Sequence, residues 1–184
     1  MKLRLCKCIF AAAALAMLVP AAVRAQGIDN DGCSNRTLRG DYSFTINGQV
    51  FPPGKPAVTR DGVAVANFDG KTDINGNGGL TQVDFVMQYP DMSGGSSPVP
   101  NADPPDSTTS FNVGETGTYR VFNDCTGEAE IDFPPQGGGG AVIKFRFVLS
   151  YDGSAIHTTV YYVQPPGATM PVPALIHSEG WRLK

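Results

Sequence analysis

A polar run near the middle of the chain has the spacing of a calcium-binding loop. Asp73, Asn75 and Asn77 occupy positions one, three and five of a twelve-residue stretch, with Gly78 at position six and Asp84 at position twelve. Carboxylate and amide oxygens at alternate positions can surround one hard cation. The flanking residues are typical of strands rather than helices, and Asn-Gly-Asn-Gly also forms turns without metal. A plain turn is therefore the favoured interpretation, and a calcium site is the weaker one.

The two histidines are the other candidates for chemistry near neutral pH. His157 and His177 fall in consecutive predicted strands, and a carboxylate from Glu128, Glu130 or Glu179 would complete an acid–base pair. Ordinary strand positions are the favoured interpretation, since nothing in the sequence fixes such a partner. The sequence has no G-x-S-x-G, H-E-x-x-H or C-x-x-C motif. We therefore assign no catalytic residue and no cofactor, and an enzyme is the less favoured hypothesis.

Residues 1–25 are typical of an export signal. Lys2 and Arg4 begin a basic region, Ile9–Val19 is apolar, and small residues precede a cleavage point before Gln26. The apolar run is too short to span a bilayer comfortably. The sequence thus predicts a protein exported to the periplasm or the extracellular medium, with residues 26–184 forming one domain.

Charge restricts the partners of the exported domain. The signal segment holds four of the 14 Lys and Arg residues and none of the 17 Asp and Glu residues, so the remainder carries a net charge of −7. That balance disfavours nucleic acid and anionic membrane surfaces as partners. No later segment is apolar and long enough to act as an anchor, so no membrane insertion is expected.

Two cysteines remain after the signal segment, Cys33 and Cys125. In an oxidising compartment we expect them to pair. Closing a loop of this length would stabilise the fold by roughly 4–5 kcal/mol in the chain-entropy account. The spacing is unlike that of a redox motif, so the sequence predicts a structural disulfide.

Alternation of apolar and polar residues predicts an all-β fold. In one segment Ile143, Phe145 and Phe147 share a face, with Lys144 and Arg146 opposite. Strands are predicted near 40–50, 62–68, 79–89, 115–122, 127–133, 141–151, 154–163 and 175–183. Short links between these eight strands favour a closed antiparallel up-and-down barrel, because closure removes exposed edges. A two-sheet sandwich is the alternative.

In such a barrel, successive links alternate between the two ends. The loops that share one rim are 51–61, 90–114, 134–140 and 164–174, and they are rich in Pro and Gly. The opposite end receives the turns at 69–78, 123–126 and 152–153, where Asp152-Gly153 predicts a tight hairpin. Both cysteines fall at this second end. The disulfide is thus compatible with the barrel.

The chain resembles a group of bacterial secreted proteins of uncharacterised function. The segments that carry the resemblance are Cys33-Ser34-Asn35, Leu38-Arg39-Gly40-Asp41-Tyr42-Ser43-Phe44, Gly117-Thr118-Tyr119 and Asp124-Cys125-Thr126-Gly127. Such proteins are similar to calycin-like and allene-oxide-cyclase-like small barrels. The resemblance implies the fold and carries no activity, and no cyclase residue is matched here.

Several functions stay open. An eight-stranded barrel can hold a small apolar ligand in its interior or at its rim, which is the favoured hypothesis. A structural protein that meets a protein partner through loops 90–114 and 164–174 is the alternative. A cofactor-free isomerase or cyclase and an outer-membrane barrel are the less favoured possibilities.

Overall fold

The computed structural model describes residues 32–89, 99–100, 111, 114–133 and 140–184. The predicted signal segment 1–25 lies outside the described residues. So do most of the predicted rim loops 90–114 and 134–140.

The described residues form nine strands and no helix. These are β1 Arg39–Val50, β2 Val58–Asp69, β3 Gly78–Tyr89, β4 Val99–Pro100, β5 Glu115–Val121, β6 Thr126–Asp132, β7 Val142–Leu149, β8 Ala155–Gln164 and β9 Ala174–Arg182. Consequently, no helix in this part of the chain could cross a membrane.

The eight longer strands form a closed antiparallel up-and-down barrel. Each pairs with the next one along the chain, and β9 returns to β1 from Tyr42↔Arg182 to Val50↔Ala174. The short β4 adds to β3 at Met87 and Gln88, beyond the part of β3 that pairs with β5. The predicted barrel is confirmed, and the alternative sandwich is wrong.

Two predicted boundaries are wrong. The loop after β1 ends at residue 57 rather than 61, because antiparallel pairing with β1 continues to Val50↔Val58. The link between β7 and β8 spans residues 150–154 rather than two residues. Its ends are joined by the amide of Ser150, which donates to the carbonyl of Ala155 at 3.0 Å. Gly153 takes the left-handed conformation that this longer turn needs, with φ of 63°.

The two ends of the barrel differ as parity predicts. One end, which we call the rim, carries loops 51–57 and 165–173 and the strand ends that lead into the other long loops. The opposite end, which we call the sealed end, carries the turns 70–77, 122–125 and 150–154. Cys33 and Cys125 are joined at the sealed end, with Cα atoms 4.8 Å apart. The predicted disulfide is therefore confirmed.

Aromatic side chains fill the interior at the sealed end. Phe68 meets Tyr42 and Tyr119 edge-on, with ring centroids 5.5 and 5.1 Å apart. Leu38, which precedes β1, is fully buried beneath them. Burying each large apolar side chain stabilises the fold by about 1.5–3 kcal/mol. Packed side chains therefore occupy the interior of the barrel at this end.

Asn35 fastens the segment before β1 across the sealed end. Its side-chain amide donates to the carbonyls of Lys71 at 3.0 Å and Gly76 at 3.1 Å. Its side-chain oxygen accepts the amide of Val121 at 2.8 Å. One buried side chain thereby joins the β2–β3 turn to the last residue of β5.

The two buried tyrosines at this end also have hydrogen-bond partners. Tyr119 Oη accepts the amide of Gly70 at 2.9 Å and lies 3.2 Å from the carbonyl of Leu38. Tyr42 Oη accepts Arg182 Nε at 3.0 Å and donates to the carbonyl of Gly153. Burial raises the pKa of both phenols above the usual value of 10.0, so both are neutral hydroxyls at physiological pH.

Candidate functional site

The half of the barrel nearer the rim contains a cavity of about 240 Å³. It exists because β2 places small residues inside at this level, where Ala64 and Ala66 replace the bulk that Phe68 supplies at the sealed end. The remaining wall is mostly aliphatic and aromatic, with Phe44, Ile131 and Phe145 contributing from other strands. For comparison, an apolar cavity of about 150 Å³ is enough to bind benzene.

Proline-rich loops frame the mouth of the cavity. Pro52 of loop 51–57 and Pro165, Pro166 and Val172 of loop 165–173 line it. The two loops are tied together by the amide of Phe51, which donates to the carbonyl of Pro173 at 2.8 Å. Loop 165–173 is also held to β8 by an antiparallel bridge between Val163 and Val172. Part of the predicted docking loop 164–174 thus faces the cavity.

Strand β3 turns most of its apolar side chains outward and several polar side chains inward. Residues that share the orientation of buried Leu80, and so point inward, are Gln82, Asp84, Val86 and Gln88. Residues on the outer face include Val83, Phe85, Met87 and Tyr89, and Phe85 meets the ring of Phe111 there at 6.4 Å. Alternation normally places the apolar set inside. Breaking that rule puts polar groups in the cavity wall, as is typical of functional sites.

We call the side chains of Arg60, Gln82 and Asp84 the polar wall of the cavity. Gln82 Nε2 lies 3.5 Å from Asp84 Oδ2, and Asp84 is buried. Arg60 and Asp84 both interact with other groups of the chain. Glu115, the first residue of β5, is buried and lies opposite Gln82 in the β3–β5 ladder. It too interacts with other groups of the chain. Charges on this wall therefore interact within the protein.

A second polar feature lies on the β8–β9 side of the cavity. Thr158 and Ser178 are directly opposite each other in the ladder, and their hydroxyl oxygens are 2.5 Å apart. We call them the hydroxyl pair. Thr158 is only 6 % exposed, and both residues line the cavity. Val160 and Ile176, the next inward residues toward the rim, are apolar.

The four predicted calcium ligands do not come together. Asp73 lies in the turn at the sealed end, whereas Asp84 is inside the barrel, roughly 20 Å further along β3 at the usual rise per residue. Asp73 Oδ1 instead accepts the amides of Asn75 and Asn77, each at 2.8 Å. The amide of Asn77 is the main cause of the lowered pKa of Asp73. Among the described residues, no group of three His, Cys, Asp or Glu side chains could hold a metal.

The same local chemistry recurs in the other turns of the sealed end. Asp124 Oδ1 accepts the amide of Thr126, and Asp152 Oδ1 accepts the amide of Ser154, both at 3.0 Å. The pKa of Asp124 is lowered mainly by the Thr126 hydroxyl, which donates to Asp124 Oδ1 at 2.6 Å, and then by the Thr126 amide. The pKa of Asp152 is lowered to about 2, mainly by the amide of Ser154. The spacing that resembled a metal loop is therefore explained by an aspartate-capped turn.

The histidines lie on the outer surface of the barrel. His157 pairs with Glu179 across the ladder, and its Nδ1 lies 3.7 Å from the carboxylate, with both side chains more than half exposed. Glu128 and Glu130, the other suggested partners, form outer ion pairs with arginine and lysine of β7. Neither histidine lines the cavity. Of the three predicted partners, only Glu179 is adjacent to a histidine.

Sequence reasoning missed the polar residues of the cavity. The sequence pattern places Arg60 in the predicted loop 51–61 and does not distinguish Gln82, Thr158 or Ser178 from other strand residues. The available signal is the alternation from Leu80 to Gln88, which puts Gln82 and Asp84 on the same face as Leu80.

Comparison of the chain with protein-family models, with curated proteins and with solved structures gave no match. The resemblance to calycin-like secreted proteins therefore stays a prediction. Its motifs supply Cys33, Asn35, Tyr42, Tyr119 and Cys125, which all belong to the sealed end. These motifs therefore account for the structure of the sealed end and not for a function.

Proposed function

We propose that this protein binds a small, largely apolar molecule in the cavity near the rim. The observation that carries the proposal is the cavity itself, which has a volume of about 240 Å³ and is lined mostly by apolar side chains, with few polar groups among them. This composition is typical of small-molecule sites, where apolar walls supply affinity and a few polar groups fix orientation. The proposal requires no cofactor.

The compartment is part of the proposal. A disulfide pair at Cys33 and Cys125 is compatible with an oxidising, exported location. The outer wall carries the ion pairs Glu130–Lys144 at 2.7 Å and Glu128–Arg146 at 3.5 Å, which favour an aqueous surrounding. We therefore infer a periplasmic or extracellular binding protein.

The test uses prodan, a neutral naphthalene ketone whose emission shifts to the blue in apolar surroundings. Ala64→Phe places a ring in the cavity, since Ala64 is buried and lines it. Val63→Phe is the matched control, because the neighbouring residue is 45 % exposed on the outer face of the same strand. We expect wild type and Val63→Phe to bind prodan alike, and Ala64→Phe to bind at least about tenfold more weakly.

Thermal unfolding of all three proteins verifies that they are folded. Absence of a blue shift with wild type, or equal binding by folded Ala64→Phe, would refute the proposal. Weaker binding by Val63→Phe alone would instead place the probe on the outer surface.

A second candidate is a cofactor-free isomerase, which Asp84 favours because it puts a carboxylate in the wall of an apolar cavity. Such a group can move a proton between carbons next to a carbonyl. In deuterated water, wild type would then catalyse exchange of the protons beside the prodan carbonyl. Asp84→Asn would bind the probe without exchange, and equal exchange rates with and without protein would reject this candidate.

A further inference from the structure

We propose that the ligand belongs to the class of neutral molecules with a hydrogen-bond-accepting oxygen, such as a ketone, ester or ether, and that the hydroxyl pair binds this oxygen. The inference rests on the proposed function, because it assigns the polar contact within the same cavity. It commits the ligand to one orientation, with its oxygen toward the β8–β9 side.

The number of hydroxyl protons on the hydroxyl pair supports its assignment as a donor to the ligand. Two hydroxyls carry two protons, and the 2.5 Å bond between Thr158 and Ser178 uses one of them. Within the described residues, this is the only side-chain hydrogen bond that either hydroxyl makes. The second proton is therefore available to an acceptor in the cavity. A buried donor that gains an acceptor stabilises a complex, whereas one left without an acceptor weakens it.

The polar wall is a poorer site for the same oxygen. Arg60 and Asp84 interact with other groups of the chain, so a ligand would have to compete with those contacts. The amide of Gln82 lies beside the Asp84 carboxylate at 3.5 Å. On this wall a neutral acceptor would displace existing interactions, while at the hydroxyl pair it would add one.

The surroundings of the hydroxyl pair favour a neutral ligand. Ser178 pairs in the ladder with Ile46 on one side, and the next inward residues are Val160 and Ile176. None of these side chains can compensate a charge. Burying an ion in such surroundings is far more costly than burying a hydrogen-bonded carbonyl.

The test compares acetylnaphthalene with its isopropenyl analogue, in which C=CH₂ replaces C=O at nearly the same shape. The readout is the ratio of their dissociation constants, measured by displacement of prodan. In the double variant Thr158→Val, Ser178→Ala we expect this ratio to shift against the ketone by about 2- to 12-fold, the worth of one hydrogen bond. Either single variant should keep most of the wild-type ratio, since the remaining hydroxyl still has its proton.

Thr159→Val is the matched control, because Thr159 is exposed on the outer face of the same strand, and it should leave the ratio unchanged. If both probes bind and the double variant keeps the wild-type ratio, the inference is overturned while cavity binding stands. If neither probe binds wild type, the proposed function itself fails.

If the double variant does not fold, a measurement on wild type alone tests whether the bound carbonyl accepts a hydrogen bond. The carbonyl stretch of bound acetylnaphthalene should lie at lower frequency than in hexane, because the carbonyl accepts a hydrogen bond. An unshifted band would overturn the inference.

Discussion

The sealed end and the half of the barrel near the rim are built from the same eight strands but use their interior differently. At the sealed end, Tyr42, Phe68 and Tyr119 fill the centre, and Asn35 joins the neighbouring elements. Near the rim, Ala64 and Ala66 leave a cavity open. The residues that pack the sealed end and the cavity where we propose that a ligand binds therefore belong to separate regions.

The use of polar groups follows the same division. At the sealed end, Asn35 and Tyr119 hydrogen-bond to backbone groups of the protein and so hold elements in place. In the cavity, the hydroxyl pair has one hydroxyl proton that their mutual bond does not use, which we propose a ligand accepts. The sequence motifs that carry the family resemblance therefore lie at the sealed end, where their residues have structural roles. We expect that changes at the sealed end alter stability without altering ligand affinity.

The largest expected effect comes from removing the disulfide. Cys33→Ala with Cys125→Ala releases a loop with a sequence separation of 92 residues and should lower the free energy of unfolding by about 4 kcal/mol. Urea unfolding of wild type with and without reductant provides the same comparison without substitution. Prodan affinity of the folded variant should match that of wild type, and a large loss of affinity would contradict the division into two regions.

Asn35→Ala should have the next largest effect. It removes three hydrogen bonds and leaves one buried amide and two partly exposed carbonyls without that partner, so we expect a loss of about 2–3 kcal/mol. Asn47→Ala is the control, since Asn47 is exposed on the outer face of β1. Urea unfolding measures both, and equal losses would show that Asn35 has no special role.

A smaller effect is expected from the buried phenols at alkaline pH. Burial raises the pKa of Tyr42 and Tyr119 in the folded protein, so above about pH 10 the unfolded chain releases protons that the folded chain keeps. The contribution of the two phenols to stability should be constant below that pH and then fall, by up to about 1.4 kcal/mol per pH unit for each phenol. Tyr119→Phe should cost about 1 kcal/mol at neutral pH and reduce the alkaline slope.

Tyr161→Phe is the control for this pH series, because Tyr161 is 53 % exposed on the outer face of β8. Unfolding in urea between about pH 8 and about pH 11 measures the slopes. The same alkaline slope in wild type and Tyr119→Phe would contradict the assignment.

The architecture could be predicted because its signals are local. Alternation in segments such as 142–149 identifies strands, and parity then assigns each loop and both cysteines to an end. The start of β2 cannot be read from the sequence because Asp61-Gly62 resembles a turn, while pairing with β1 and β3 continues through it. A local sequence pattern does not determine how strands that are distant in the chain pair.

The cavity could not be predicted from pattern alone. Its volume depends on which small residues of β2 lie opposite which large ones on other strands, and that requires the register of the closed barrel. The apolar set of β3 would normally mark the inner face, but in this protein it lies outside. In the sequence, Asp84 stands out by its spacing from Asp73, whereas in the structure it is distinguished by its position inside the barrel.

The most direct test of the central claim is an amide chemical-shift titration of the folded protein with acetylnaphthalene. We expect the shifts to concentrate at cavity residues such as Ala64, Asp84, Thr158 and Ile176, while Asn35 and Tyr119 at the sealed end stay unchanged. Shifts confined to the outer face of β2 and β3, or to the sealed end, would contradict this claim, as would a spectrum that does not respond to the probe.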